Sequence, residues 1–564
     1  MRKYISCFTL AVSFLLSIST TLIAQSGAQQ DEVFRTGVRI VQVPTLVQNK
    51  NGEHIPNLKK EDFTILENGK LRQVMFLEEV KPTEGRYSKM TVAPDVFTNF
   101  SADKKDVKRF NIIVLDVSNS DFASAGRAKR AMVDYLARSL DGRETVCLIL
   151  FSGTKMKLIQ DFTSDPAILM AAVKKVASGV GQGDLKTPNS AMVFNSTNIA
   201  NGGVNDPVEA LSDFMKDRSM DDVKMLRQNN VLETLERFRH IAKVFGGVPG
   251  RKELIWMTTG FPLPLEQPSE VVGKPFAEIF EDTFRALNDA QISLYPVNAS
   301  GLVANAMQDV SVCDTCNKTN ATDRGSNQMA RQGQSIDLTT GPHNNSPALN
   351  MMADMTGGQA FMNSNDLEKA MRTATKDSAG YYILGYTLDK IDDAPGWRKL
   401  QVKANASGGR VRARSGFYMT PAMANPEKVD AKIEVANALR APFDYTGIAM
   451  NGSWGKVTDK NGKREVEYFI NVPFSSILID SSANNHLSLE VVNFVKDFNG
   501  NQVSNFLQTV AANLKPENVE QVRKEGLSYR NVIDLAPGDY TVRFVVRDNL
   551  TGKIGSVLTG LTVK

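Results

Sequence analysis

The segment Asp116-Val117-Ser118-Asn119-Ser120 places one carboxyl and two hydroxyls at alternate positions directly after the apolar run Phe110-Asn111-Ile112-Ile113-Val114-Leu115. Such a run reads as a buried strand, and open parallel sheets carry their ligand crevice at the C-terminal ends of their strands. Two kinds of chemistry follow from the residues alone. Ser and Asp ahead of a helix satisfy the free N–H groups of its first turn, which would make Asp116, Ser118 and Ser120 helix caps. Ser118 as a nucleophile would make the protein a hydrolase, and a nucleophilic serine needs a base. The chain has only 4 histidines, His54, His240, His343 and His486. His240 falls inside a helical pattern, His343 lies in a long polar stretch, and a Gly-x-Ser-x-Gly elbow is missing. This shortage argues against a catalytic triad or a histidine-based metal cluster and sets a non-catalytic role as the expectation.

The cysteines lead to the compartment. Arg2 and Lys3 precede an apolar stretch from Phe8 to Leu16 that softens through Ser17, Ser19, Thr20 and Thr21 and ends in small and polar residues. That order is a secretory signal peptide, expected over 1–28, and the hydroxyl-bearing interruptions argue against a membrane anchor. Export to the periplasm, the cell envelope or the outside is therefore expected, with no transmembrane segment once the signal is removed. Cys147 lies in the apolar run Thr145–Phe151 and reads as an inert core thiol. Cys313 and Cys316 are spaced as a CxxC in a polar loop; a local disulfide is the first reading, a metal or redox pair and free thiols the others. The 66 basic and 62 acidic residues leave +4, falling to +2 without Arg2 and Lys3, so a nucleic-acid partner is not expected.

These residues need elements to position them, and 564 residues are too many for one core. From 31 to 95, short β-branched runs are broken by Asn-Gly turns at Asn51-Gly52 and Asn68-Gly69, a hairpin pattern. From 107 to 378, continuous apolar strands (146–151, 253–258, 292–297 and 359–362, besides the first) alternate with amphipathic helices at 123–140, 166–177, 226–245, 269–290 and 366–376. That alternation predicts a doubly wound α/β unit. Residues 380–420 return to β, and 427–564 read as a β-sandwich of immunoglobulin type. The segments 31–95 and 380–420 are each too small for a sandwich, so they are expected to pair with each other, with the α/β unit inserted between them. Two polar stretches, 178–222 and 302–346, are far longer than ordinary connections and are expected near Ser118 as a lid or as decoration.

The Asp-x-Ser-x-Ser at 116–120 resembles the first loop of the metal-ion-dependent adhesion site of von Willebrand factor type A domains. Asp141–Ser152 is similar to the second strand of that fold, Gly250–Gly260 to its fourth, and Ala353–Phe361 to the lead-in to its last strand. Phe63–Gly69 before the unit and Tyr382–Tyr386 after it fit the secreted von Willebrand A-related proteins of acidobacterial type. The resemblance implies a Rossmann-like domain flanked by immunoglobulin-like sandwiches. It also implies a Mg²⁺ or Mn²⁺ ion held by Asp116, Ser118 and Ser120 and completed by a carboxylate from a protein partner. The family's second loop supplies a threonine, and here Asn229 or Asn230 stands near that place; its third supplies an aspartate before glycine, and here Thr258-Thr259-Gly260 has none. Asp121, Asp221 and Asp222 are the carboxylates that would compensate. The implied metal set is thus Asp116, Ser118, Ser120, Asn230 and Thr259, and the implied role is protein recognition or adhesion. A structural envelope protein with a metal-free site is the alternative.

Overall fold

The computed structural model describes residues 39–82, 93, 95–99, 108–179, 229–261, 274–301, 346–388, 396–419 and 428–564, apart from positions 121, 141, 154 and 461. The predicted signal peptide, the Cys313–Cys316 pair, His343, Asp121, Asp221 and Asp222, and all but the ends of the two long stretches lie outside these residues. Among the described residues, no helix is long and apolar enough to cross a membrane.

The chain opens with β1 (Arg39–Gln48), β2 (Phe63–Glu67), β3 (Lys70–Arg72) and β4 (Phe76–Val80). Between β2 and β3, Asn68 and Gly69 both take positive φ, 48° and 81°. Two successive left-handed residues make the tight hairpin whose twist matches its strands, which is why Asn-Gly stands there. A short strand, β5 (Val96–Thr98), follows.

The middle of the chain forms β6 (Arg109–Asp116), α1 (Phe122–Arg138), β7 (Glu144–Ser152), β8 (Lys155–Thr163) and α2 (Pro166–Gly179). Then come α3 over 229–245, β9 (Lys252–Thr258), α4 (Lys274–Asp289), β10 (Ile292–Asn298), α5 (Ser346–Thr356) and α6 (Leu367–Lys376). The sheet order is β10-β9-β6-β7-β8, with the first four strands parallel and β8 antiparallel at the edge. Alternate residues of β6 serve opposite faces. Phe110, Ile112 and Val114 pack beneath α3, α4 and α5, and Ile113 and Leu115 beneath α1, α2 and α6. Cover on both faces is what allows continuous apolar strands.

Three features differ from the sequence expectation. The strand expected at 359–362 shrinks to one parallel bridge, Phe361 to Val297, held by Phe361 N donating to Pro296 O (2.8 Å) and Asn298 N donating to Phe361 O (2.9 Å). Helix α5 arises where no helix was expected, and β8 forms a hairpin with β7 from a charged alternating run.

The remaining strands are β11 (Tyr381–Leu388), β12 (Gly396–Ala404), β13 (Arg410–Ala413) and β14 (Gly416–Met419). They complete two sheets, β13-β1-β11-β4 and β14-β12-β2-β3, around a core that includes Val43, Ile65, Tyr382, Leu384 and Tyr386. The β segments on either side of the α/β unit are therefore one sandwich, and Val80 pairs directly with Tyr381, so the excursion leaves and returns at adjacent strand ends.

The C-terminal part runs α7 (Lys428–Arg440), β15 (Asn451–Lys460), β16 (Lys463–Val472), β17 (His486–Asp497), β18 (Gln502–Asn513), α8 (Pro516–Glu525), β19 (Leu527–Leu535), β20 (Gly538–Asp548) and β21 (Ile554–Val563). Its sheets are β18-β17-β20-β21 and β19-β16-β15-β5, the latter borrowing β5 from more than 350 residues earlier. The boundary expected at 427 is thus not the whole sandwich. Its outer face carries Val492, Val545 and α7 into the core beneath α3, where Glu434 pairs with Lys243 and Tyr445 OH meets His240 Nδ1 at 3.0 Å.

Candidate functional site

Asp116 ends β6 fully buried, and its carboxylate accepts four hydrogen bonds. Oδ1 takes the backbone N–H groups of Ser118 (2.9 Å) and Asn119 (3.1 Å); Oδ2 takes Asn119 Nδ2 (2.8 Å) and the indole Nε1 of Trp256 (2.9 Å). Trp256 stands on β9, the strand beside β6, and a buried indole N–H requires such an acceptor. Burial pushes the Asp116 carboxyl above the usual carboxylate range, against the downward pull of Asn119, Trp256 and Arg237. The three donors from Ser118 and Asn119 fold 116–119 into a closed turn.

Around that turn, Asn119 Nδ2 also donates to Thr234 Oγ1 (2.9 Å) of α3, and Thr259 Oγ1 donates to Asn119 O. Ser118 Oγ donates to Gly153 O (3.1 Å), and Arg237 Nη1 donates to Ser118 Oγ (3.3 Å). The Arg237 guanidinium, on α3, also donates from Nη2 to Gly153 O and to Glu233 Oε2 (2.9 Å), and lies 5.1 Å over the Phe151 ring. Its side chain is 8% exposed and its Nε has no partner. Ser120 Oγ is likewise buried without a partner.

Of the five residues read as a metal set, Asp116, Ser118, Ser120 and Thr259 therefore meet at the C-terminal edge of the sheet. Asn230, exposed in the first turn of α3, joins only through its backbone carbonyl, which accepts from Thr234 Oγ1 (2.7 Å). These donors do not fit a divalent cation. The Asp116 oxygens are taken up by four N–H groups, and Ser118 is bonded to a guanidinium, whose charge would repel the ion. Among the described residues, no three His, Cys, Asp or Glu side chains gather as metal ligands.

Sequence reasoning missed Arg237, Thr234, Asn119 and Trp256. Only Trp256 left a signal, an indole in an otherwise apolar strand. No described histidine joins the site. His54 bonds Glu79 at 2.9 Å, His486 bonds Asn513 at 2.8 Å, and His240, which burial pushes down to about 4, sits against Tyr445. Cys147 is a buried free thiol whose pKa burial pushes well up, as an inert core residue requires. A cavity of about 370 Å³ opens at the other edge of the sheet, between the first sandwich and the α/β unit, lined in part by His54, Lys81, Arg109 and Arg143.

No protein-family model matches the chain, and no curated protein matches it. Among solved structures it is similar to the pilus adhesin SpaC from Lactobacillus rhamnosus GG, at 12% identity and a TM-score of 0.23 over 88% of this chain and 57% of the adhesin. The chain thus spans little more than half of that protein, and so shallow a likeness fixes neither fold nor function.

Proposed function

We propose that this chain is an exported, non-catalytic recognition protein whose α/β unit is von Willebrand A-like and presents the C-terminal edge of its sheet to a protein partner. In this reading Arg237 replaces the divalent ion of the family's adhesion site. The observation that carries it is the guanidinium bonded to Ser118 Oγ and Gly153 O beside the buried Asp116. An acidic side chain from the partner would exchange for Glu233, the more exposed half of that ion pair, so recognition of a carboxylate persists without a metal. The contacts of Ser118 support a positioning role over nucleophilic attack: it donates to a carbonyl and accepts from a group that stays protonated.

The test is to pan a random peptide display library on the purified protein, with Mg²⁺ and with EDTA. Acidic peptides should be enriched equally in both, and lost with Arg237→Gln. Enrichment that needs Mg²⁺ would restore the metal-bridged mechanism, and the absence of any acidic enrichment would end the proposal.

A further inference from the structure

The strand β18 bonds β17 on one side only and ends its sheet. Its 12 residues, Gln-Val-Ser-Asn-Phe-Leu-Gln-Thr-Val-Ala-Ala-Asn, include no charge and no proline. It is exposed along nearly its whole length, with Val503 at 47%, Phe506 at 39% and Leu507 at 58%. A long uncharged edge is a template for another strand, and soluble proteins guard such edges with charge, brevity or cover. The other described edges follow that rule: Glu78 and Glu79 guard β4, β14 has 4 residues and β10 is buried throughout. Lys70 and Arg72 guard β3, Lys155 and Lys157 guard β8, Arg410 and Arg412 guard β13, and Arg530 and Asp534 guard β19. β5 has 3 residues, and β21 is covered at its start by Tyr445–Ile448.

The two faces of β18 differ. Its even-numbered residues look across the sandwich: Gln508 Oε1 accepts from Tyr529 OH of β19 (2.7 Å), and Val510 lines a small gap with Leu489 and Leu527. Its odd-numbered residues from Asn505 onward share the outer face with Val492, and the alternation breaks at a bulge where Ser504 pairs with Val495 but Gln502 with Lys496. Helix α7 covers that face at β20 and β21 and leaves β18 bare.

We propose that β18 pairs antiparallel with β18 of a second copy of this chain, about a two-fold axis at Leu507. The strand's own pattern selects that occupant. Within the regular stretch 504–510, a register centred on Leu507 sets Leu507 against its counterpart and Asn505 against Thr509 on the outer face, and Phe506 against Gln508 on the inner one. With no charge in the strand, self-pairing meets no like-charge repulsion, and a charged partner strand finds no complement. The product is an eight-stranded sheet running through both copies, an isologous dimer independent of the Asp116 site.

The experiment is sedimentation of the purified full chain at about 50 µM, a concentration at which an edge pairing of this modest size should register. The wild type should be dimeric. Leu507→Lys and Leu507→Glu should each be monomeric, because each sets like charges across the axis, and an equimolar mixture should dimerise again. Far-UV circular dichroism and melting temperature should match the wild type, since Leu507 is exposed. A monomeric wild type, singly substituted chains that still dimerise, or a mixture that stays monomeric would each overturn the proposal; the first would point to a different protein on this edge.

Discussion

Two carboxyl groups are sealed at opposite ends of the parallel sheet, and their neighbours treat them differently. Asp116 has four donors, whereas Glu253, the second residue of β9, accepts from Arg251 Nε at 3.1 Å and has an Oε2 with no partner. Burial, reinforced by Asp377 and opposed by Arg251, pushes the Glu253 carboxyl up to about 8 from its ordinary 4.5. Between those values the folded protein holds a proton that the unfolded chain has released, so this group's stabilisation is full below 4.5 and falls as pH rises towards 8. Lys252, pushed down to about 7 by burial, works oppositely from there to 10.5, and His240, pushed down to about 4, works oppositely from there to 6.5. Between pH 5 and 7 it is therefore the difference between wild type and a Glu253 variant that isolates this group. Glu253→Gln mimics the protonated form. It should leave stability at pH 5 nearly unchanged and remove a slope on the order of 1 kcal/mol per pH unit, read by urea denaturation at pH 5, 6 and 7. Equal slopes in the two proteins would show that Glu253 is ionised.

At the scale of elements, β5 is a strand of 3 residues whose partner lies more than 350 residues away. Phe97 stacks on Phe544 at 4.9 Å and lies 5.4 Å from Trp454, and a Cβ added at Gly452 would sit 2.0 Å from the Phe97 ring, so the close approach requires glycine there. Asn99 then fastens the strand: Nδ2 donates to Tyr445 O (2.7 Å) and Ile448 O (2.8 Å), and Oδ1 accepts from Met450 N (2.8 Å). Asn99→Ala leaves these buried backbone groups unpaired and should cost about 2–4 kcal/mol. Hydrogen exchange should locate the loss at the amides of 451–454; unchanged protection there would mean that β5 is dispensable. Nothing near Val96-Phe97-Thr98 in sequence announces this role, because three residues carry no periodicity and the partner strand is remote. The apolar runs of β6, β7, β9 and β10 and the Asn68-Gly69 turn were legible, since each writes a local rule into adjacent residues. β8 was not, because an edge strand alternates charges as a loop does. In the candidate site, Asp116, Ser118, Ser120 and Thr259 could be placed from their position after strands. Arg237 could not, because one arginine on a helix reads as a solvated face until the fold turns it inward.

The whole molecule is built by interruption. The chain leaves the first sandwich at Val80, contributes β5 to the last sandwich, builds the α/β unit and re-enters at Tyr381 opposite Val80. The junction is also polar and buried. Arg251 Nη2 donates to Tyr295 OH (2.7 Å), Tyr295 OH and Gln48 Nε2 donate to Asp377 (2.7 and 2.8 Å), and Arg412 of β13 reaches the same carboxylate at 2.5 Å. Such a network ties the insert to its host, although it is only partly satisfied, since Arg251 Nη1 is buried without a partner. Because Val80 and Tyr381 are paired neighbours, a two-residue Asn-Gly turn can replace 81–380 without straining β4 or β11. The shortened chain should keep the first sandwich, with protected amides in β1 and β11 and cooperative unfolding. Arg412 is already partly solvent-exposed, so losing Asp377 leaves it hydrated rather than stranded. The last sandwich loses β5 and Asn99 in the same step, so β15 should lose protection in the shortened chain while β1 keeps it. Unfolding of both sandwiches together would show that the insert holds up its host. Protection of both would show that β5 only decorates the final sheet, and the split outcome is what an interlocked chain of separable cores requires.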